Sequence, residues 1–306
     1  MESSALPDIP FEPWHKTRTT LHLFTQIVGK ARLSLAPYQN HWWHVPLYLS
    51  ARGLTTSVIT VDNRSFECEF DLVNHRLFIR TSRDEQLILP LAGVSVADFY
   101  RLFVNALDEI GIRLSILARP FDPSRAGSDT PFTEDHQHDT YDPDAVTRFF
   151  HALRYIDGIF KEFRGRFLGK CSPVHFFWHS FDLAVTRFSG RSAEVAADAD
   201  PVTRDAYSHE VISAGFWPGD NNLPEPAFYT YAHPEPPGLA DQPLKPEPAW
   251  WQDNNGSHMA LYCYDDFRRT DNPRQALLSF LQSAYEAAAT CADWPRRQLE
   301  TTRRND

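Results

Sequence analysis

Two short strings concentrate the side chains that do acid–base and anion chemistry. The first, Asn40-His41-Trp42-Trp43-His44, is followed by Arg52; the second, Val174-His175-Phe176-Phe177-Trp178-His179, is followed by Asp182 and Arg187. An imidazole titrates near neutral pH, so His44 and His175 are candidates for a general acid or base. His209 joins them, with Glu210 beside it. Asp182 is placed to orient a partner group. Guanidinium groups fork onto carboxylate or phosphate, which makes Arg52 and Arg187 candidates for clamping an anionic small molecule. Trp42, Trp43 and Trp178 would line such a site, and Trp217, in Gly215-Phe216-Trp217-Pro218-Gly219, would wall or cap it. The competing role for each histidine is structural, a ring hydrogen-bonded at a sheet edge.

Metal chemistry is poorly served by these spacings. On an extended strand His175 and His179 share a face but stand about 13 Å apart, and one zinc ion takes its ligands at about 2 Å. His41 and His44 would point to opposite faces of a strand. The tract Glu134-Asp135-His136-Gln137-His138-Asp139 suits a metal by composition but falls in a polar segment where such runs are usually solvated. Cys68, Cys171, Cys263 and Cys291 show no zinc-ribbon or CxxC spacing. A metal-dependent enzyme would need His175 or His209 to meet carboxylates from distant segments. Nucleotide-loop, nucleophile-elbow and kinase signatures are absent from the sequence, so no cofactor is assigned.

A net charge of −10 opposes nucleic-acid binding, which needs a basic face. No apolar stretch approaches the roughly 20 residues of a membrane helix, and no secretory signal core opens the chain, so a cytoplasmic protein with reduced thiols is expected. The arginines at 296, 297, 303 and 304 read as a solvated tail. The hydrophobic fraction of 42% is that of a folded globular chain. The 22 Phe, 11 Tyr and 8 Trp suit sheets covered by helices, or the walls of a pocket.

The elements follow from periodicity. Apolar residues at helical spacing predict helices over 19–35, 96–110, from Pro143 with Asp142 as cap, and 273–291 with Asn272 or Asp271 as cap. Strands are expected at 41–50, 66–72, 76–81, 86–91, 113–118, 174–185, 210–216, 227–232 and 259–264. Asn74 is expected to take the left-handed position of the first hairpin turn. Residues 234–248 read as a proline-rich loop. The fold class is therefore α+β, with two pseudo-repeated helix–antiparallel sheet–helix halves packed as one unit. The boundaries are 1–120 for the first half, 121–143 for an acidic surface linker, and 144–306 for the second half. The repeat rests on the two aromatic strings: His44 to Arg52 and His179 to Arg187 have the same spacing, while aligning His41 with His175, a register one residue different, pairs Lys30 and Arg32 with Arg164 and Arg166.

Several longer strings, among them Phe24-Thr25-Gln26-Ile27-Val28-Gly29-Lys30, Ala51-Arg52-Gly53-Leu54-Thr55-Thr56 and Phe181-Asp182-Leu183-Ala184-Val185-Thr186-Arg187, resemble an uncharacterised bacterial protein family, a domain of unknown function (number 5996). The resemblance covers almost the whole chain and implies one family-sized unit. It implies no catalytic residue, substrate or cofactor. Three readings stay open: a small-molecule enzyme working between the halves, a non-catalytic small-molecule-binding or protein-interaction module, and a metal-dependent enzyme.

Overall fold

The computed structural model describes residues 6–220, 223–254 and 256–301. Helix α1 (Phe11–Leu35) runs through the middle of the molecule and is buried continuously from Thr17 to Arg32. A helix buried all round is normally apolar all round. This one carries Arg18, His22, Gln26 and Lys30 as a polar stripe at four-residue spacing, which hides its first turns from a reading of apolar periodicity.

After α1, a one-turn 3-10 segment at Asn40–Trp42 leads to β1 (Tyr48–Leu49), β2 (Gly53–Thr55), β3 (Ile59–Val61), β4 (Arg64–Asp71), β5 (Arg76–Thr81) and β6 (Gln86–Pro90). These form one antiparallel sheet ordered β1-β2-β4-β5-β6, with β3 also paired to β4. Helix α2 (Val96–Glu109) closes the first half, with the Ser95 hydroxyl accepting from the Asp98 N–H. In the β4–β5 turn the left-handed residue is His75, not Asn74; Asn74 instead donates from its amide to Asp71 Oδ2.

Residues 113–118 form no strand. Segment 120–143 contains the short helix α3 (Pro123–Ala126) and packs closely, with Ala126, Phe132 and Asp135 buried. It covers the polar stripe of α1: Gln26 Oε1 accepts from the Phe121 N–H at 2.7 Å, and Gln26 Nε2 donates to the Phe121 carbonyl at 3.2 Å. Asp135 accepts from His138 at 2.8 Å, and the Asp135 carbonyl caps α2 through the Ala97 N–H. Its polar composition serves hydrogen bonding to neighbouring elements, so the run is not simply solvated.

Helix α4 (Pro143–Gly165) begins as its sequence dictates, with the Asp142 side chain accepting from the Asp144 and Ala145 N–H groups and Pro143 at the first position. The expected single strand over 174–185 is a hairpin, β7 (His175–Phe177) and β8 (Asp182–Ser192), folded at a turn whose Phe181 has φ +58°. The rest comprises α5 (Pro201–Ala206), β9 (His209–Trp217), β10 (Ala227–His233), β11 (Trp250–Asn254), β12 (Ser257–Cys263), α6 (Tyr264–Arg268), α7 (Pro273–Cys291) and α8 (Arg296–Leu299). The second sheet is antiparallel throughout and ordered β7-β8-β9-β10-β12-β11. Helix α4 packs on β8, α7 on β9 and β10, and α1 lies between α2 and α4. The protein is thus α+β.

The two sheets meet edge to edge. Leu47, just before β1, and Phe176 of β7 exchange two backbone hydrogen bonds of 2.8 Å each. Residues 41–50 are not the continuous strand that their aromatic and β-branched composition suggests. His41 and Trp42 both take left-handed backbone conformations, with φ +57° and +58°, a costly arrangement for non-glycine residues. Contacts from other parts of the chain hold the loop in place. Arg32 Nε donates to the His44 carbonyl at 2.8 Å, and Trp178 Nε1 donates to the Val45 carbonyl at 3.0 Å. Gly29 lets the Trp178 ring lie against α1, since a Cβ there would fall 2.2 Å from it.

Candidate functional site

The seam and the sheet face turned away from α4 and α7 gather the chemistry-bearing residues. Strand register fixes which of them share that face. His175 pairs with Ala184, Ala184 with Gly215, and Gly215 with Tyr229, so these four form one row across four strands. Next to it lies Phe177 paired with Asp182; on the other side Thr186 pairs with Ser213, and Ser213 with Tyr231. The small residues Ala184 and Gly215 sit between His175 and Tyr229, over a span of three strand spacings, about 14 Å. The Tyr229 ring lies across Gly215, where a Cβ would stand 2.2 Å from its Cζ.

Asp182 is buried and accepts hydrogen bonds from the Ser180 and Tyr229 hydroxyls. Tyr229 stacks on Tyr231, whose hydroxyl is 3.0 Å from that of Tyr207. Burial, and then the Asp182 charge, raise the Tyr229 phenol well above its ordinary value. Thr186 and Ser213 hydroxyls are 2.9 Å apart.

At the seam, His175 is 1% exposed, and burial pushes its imidazole down to about 3, with Arg32 and Arg164 adding to the effect. At neutral pH it is an uncharged ring with one donor and one acceptor nitrogen. Its Nε2 lies 3.5 Å from the Tyr48 hydroxyl, and its Nδ1 is buried without a partner. Arg32, 7% exposed, places its guanidinium 5.2 Å from the Tyr48 ring centre. Its Nη1 is buried and unpartnered, and among the described residues no carboxylate pairs with it. Trp43 stands at 6.0 Å from the His175 ring, edge to face.

Beyond Trp43 lies a second group. His41 packs on Phe188 and approaches His209 at 5.6 Å between ring centres. Its Nδ1 is 3.0 Å from the Asp205 carbonyl, and its Nε2 is 2.6 Å from Lys170 Nζ. Trp42 and His44 stack against each other, and His44 Nδ1 accepts from the Gln39 N–H at 3.2 Å.

The sequence candidates therefore separate. His175, Asp182 and Trp43 come together on one face, with His209 at its far end. On a continuous strand His175 and Asp182 would face opposite ways; the turn at 178–181 brings them to the same side. His44 and Trp42 build the loop behind them, and Trp178 anchors that loop. Glu210 is paired with Arg191 at 2.8 Å, and Trp217 ends β9 beside Ala227. His179 sits in the β7–β8 turn against Phe177 and Phe121, so it does not share a strand face with His175.

The two clamp arginines do not converge. Arg52 is paired with Asp71 at 2.8 Å in the first sheet. Arg187 is 1% exposed on the helix-covered face, with its guanidinium 3.5, 4.3 and 5.0 Å from the Phe163, Tyr285 and Phe167 ring centres and donating to the Phe163 carbonyl. Burial lowers it to about 10, so it stays charged, held by ring faces and a carbonyl. The arginine that stands beside His175 and Tyr48 at the seam is instead Arg32. Its signal was a basic residue in the last turn of the helix that precedes the first aromatic string. Tyr48, Lys170 and Tyr229 were also missed, since only the register and the seam single them out.

Among the described residues no three His, Cys, Asp or Glu side chains converge to hold a metal ion, and no helix is long and apolar enough to cross a membrane. No curated protein and no solved structure matches the chain. The model of the "Family of unknown function (DUF5996)" matches residues 6–301, nearly its whole length, and the chain belongs to that family.

Proposed function

We propose that this protein binds a small anionic molecule at the seam between its two sheets, with Arg32 as the charge partner. The observation that carries this reading is the pair of buried, unpartnered nitrogens, Arg32 Nη1 and His175 Nδ1, on side chains that both pack on Tyr48. A buried guanidinium without a counter-ion is costly, and so is a buried polar atom without a hydrogen bond. A carboxylate or phosphate ester entering beside Tyr48 would relieve both. Trp43 and Phe177 would supply apolar walls, and the Thr186 and Ser213 hydroxyls would supply further polar contacts.

His175 acts in this reading as a neutral hydrogen-bonding group, because an imidazole held down to about 3 is a weak base at pH 7. Recognition is thus favoured over acid–base catalysis at that position. The test is calorimetric titration of the protein with phosphate and a panel of small carboxylates, beside an Arg32→Met variant. The expected result is saturable binding by the wild type, weakened about tenfold or more in the variant, as loss of a charge-assisted contact implies. Equal affinity in the two proteins, or no binding by any member of the panel, would overturn the reading.

A further inference from the structure

We infer that Lys170 is a covalent site for a carbonyl compound, an amine held against His41 so that it can form an imine with an aldehyde or keto group. The inference stands apart from the anion reading and rests on Lys170 and His41, with Trp43 the one residue common to both.

The backbone of Lys170 is fixed, since its carbonyl accepts from the Phe188 N–H at 3.0 Å and, two residues on, the Ser172 N–H donates to the Thr186 carbonyl at 2.8 Å. Its side chain is exposed, yet Nζ turns back over the faces of Phe188 and Trp43, 4.9 and 5.4 Å from their ring centres. Among the described residues no carboxylate pairs with it; the polar contact it makes is to His41 Nε2 at 2.6 Å. The tautomer of His41 follows from its other partner. A backbone carbonyl only accepts, so His41 Nδ1 bears the hydrogen that bonds to Asp205, and Nε2 presents a lone pair. Lys170 is therefore the donor, and His41 is placed to take its proton.

Two further observations fit. His41 holds this position at φ +57°, beside Trp42 at +58°, which is local strain of the kind that collects at functional sites. Partial burial also lowers the Lys170 ammonium and the His41 imidazole, while Asp205 opposes this at Lys170.

The chemistry balances without an added oxidant or reductant. The Nζ lone pair forms a bond to the carbonyl carbon, and the C=O π pair moves to oxygen. One Nζ proton passes through His41 Nε2 to that oxygen. His41 Nε2 then carries the second Nζ proton to the resulting hydroxyl, which leaves as water as the nitrogen lone pair closes the C=N bond. The apolar faces of Trp43 and Phe188 flank the reacting carbon, which suits a small aldehyde or ketone.

The chain has five lysines, at 16, 30, 161, 170 and 245, so modification can be mapped residue by residue. The folded protein is treated at pH 7 with limiting propanal and cyanoborohydride, and alkylation is quantified by peptide mass spectrometry. A neutral aldehyde keeps the test separate from anion binding. Lys161, an ordinary surface lysine paired with Asp157, is the internal reference. Lys170 is expected to react about tenfold faster than Lys161, because the imidazole held against its amine takes up the protons that imine formation releases, a contribution of about that size or more for a positioned acid–base group. His41→Asn, chosen because asparagine tolerates the left-handed backbone, is expected to bring Lys170 down to the Lys161 rate and leave Lys161 unchanged. Equal rates in the wild type would overturn the assignment, whatever the variant does. So would an undiminished Lys170 rate in His41→Asn.

Discussion

Acid should weaken this protein before its carboxylates are titrated, because two histidines are buried in forms that resist protonation. His22 lies on the polar stripe of α1, 1% exposed and packed on Phe181. Gln26 is oriented by Phe121, so its amide nitrogen faces His22 Nε2 at 3.1 Å as a donor. Protonating Nε2 would set two donors against each other. Burial, then Arg18, push His22 down to about 3; His175 is pushed to about 3 by its own burial and by Arg32 and Arg164. The folded values lie below the unfolded value of about 6.5, so the unfolded chain takes up these protons first. The stabilisation is complete above pH 6.5 and is lost as pH falls toward 3. At pH 4.5 each histidine costs about 2.7 kcal/mol, roughly 5 together, against a total stability of about 5–15 kcal/mol for a typical domain. Urea unfolding followed at half-unit steps from pH 7 to 4.5 measures the slope, expected at about 2.7 kcal/mol per pH unit or more: two protons from His22 and His175, with His179, His41, His44, His75 and His233, all lowered by burial, acting in the same direction. His22→Leu should remove about one proton's worth of it, about 1.4 kcal/mol per pH unit, whatever it does to stability at pH 7. A slope below one proton across pH 4.5–6 would refute the assignment of neutral buried rings.

Other expectations concern packing on the same elements. Tyr229→Phe deletes one donor to the buried Asp182 carboxylate, a loss of about 1.5–3 kcal/mol. With an unfolding entropy of about 0.6 kcal/mol/K for a chain of this length, calorimetry should show Tm lower by roughly 2–5 °C. The same variant should flatten the loss of stability above pH 10, because a phenol raised in the folded state stabilises below its unfolded value and loses that contribution as pH rises. Gly29→Ala drives a Cβ into Trp178 and should cost about 1–3 kcal/mol, read as a lower urea midpoint.

The regular elements were legible wherever local chemistry decides them. Asp142-Pro143 and Asn272-Pro273 start α4 and α7 where capping chemistry predicts. The alternation around residues 66–81 gives β4 and β5, and the fold class follows. The stretch 41–50 was misread because its tryptophans, valine and tyrosine favour a pleated surface, while its conformation is set by distant partners: Arg32, Trp178 and Asp205. Arg187 was misread because a guanidinium in an aromatic box and one awaiting an anion look alike in sequence. Strand parity separates them only once the hairpin turn at 178–181 is known. Arg32 and Lys170 carry no local motif; they matter through a loop and an edge that meet only in the folded chain.

That late meeting bears on how the protein is made. Within each sheet, most paired strands are close in sequence and can find one another as the chain emerges. The seam cannot: Lys170 and His41 are 129 residues apart, and Leu47 must wait for Phe176. Until then the β1 edge is an unpaired template, the kind of surface on which nascent chains mispair with their neighbours. Pro46, without an N–H to offer, stands just ahead of that edge and withholds one rung of the ladder. A ribosome stalled before the β7 codons would therefore display a guarded edge, and neither candidate site would yet exist.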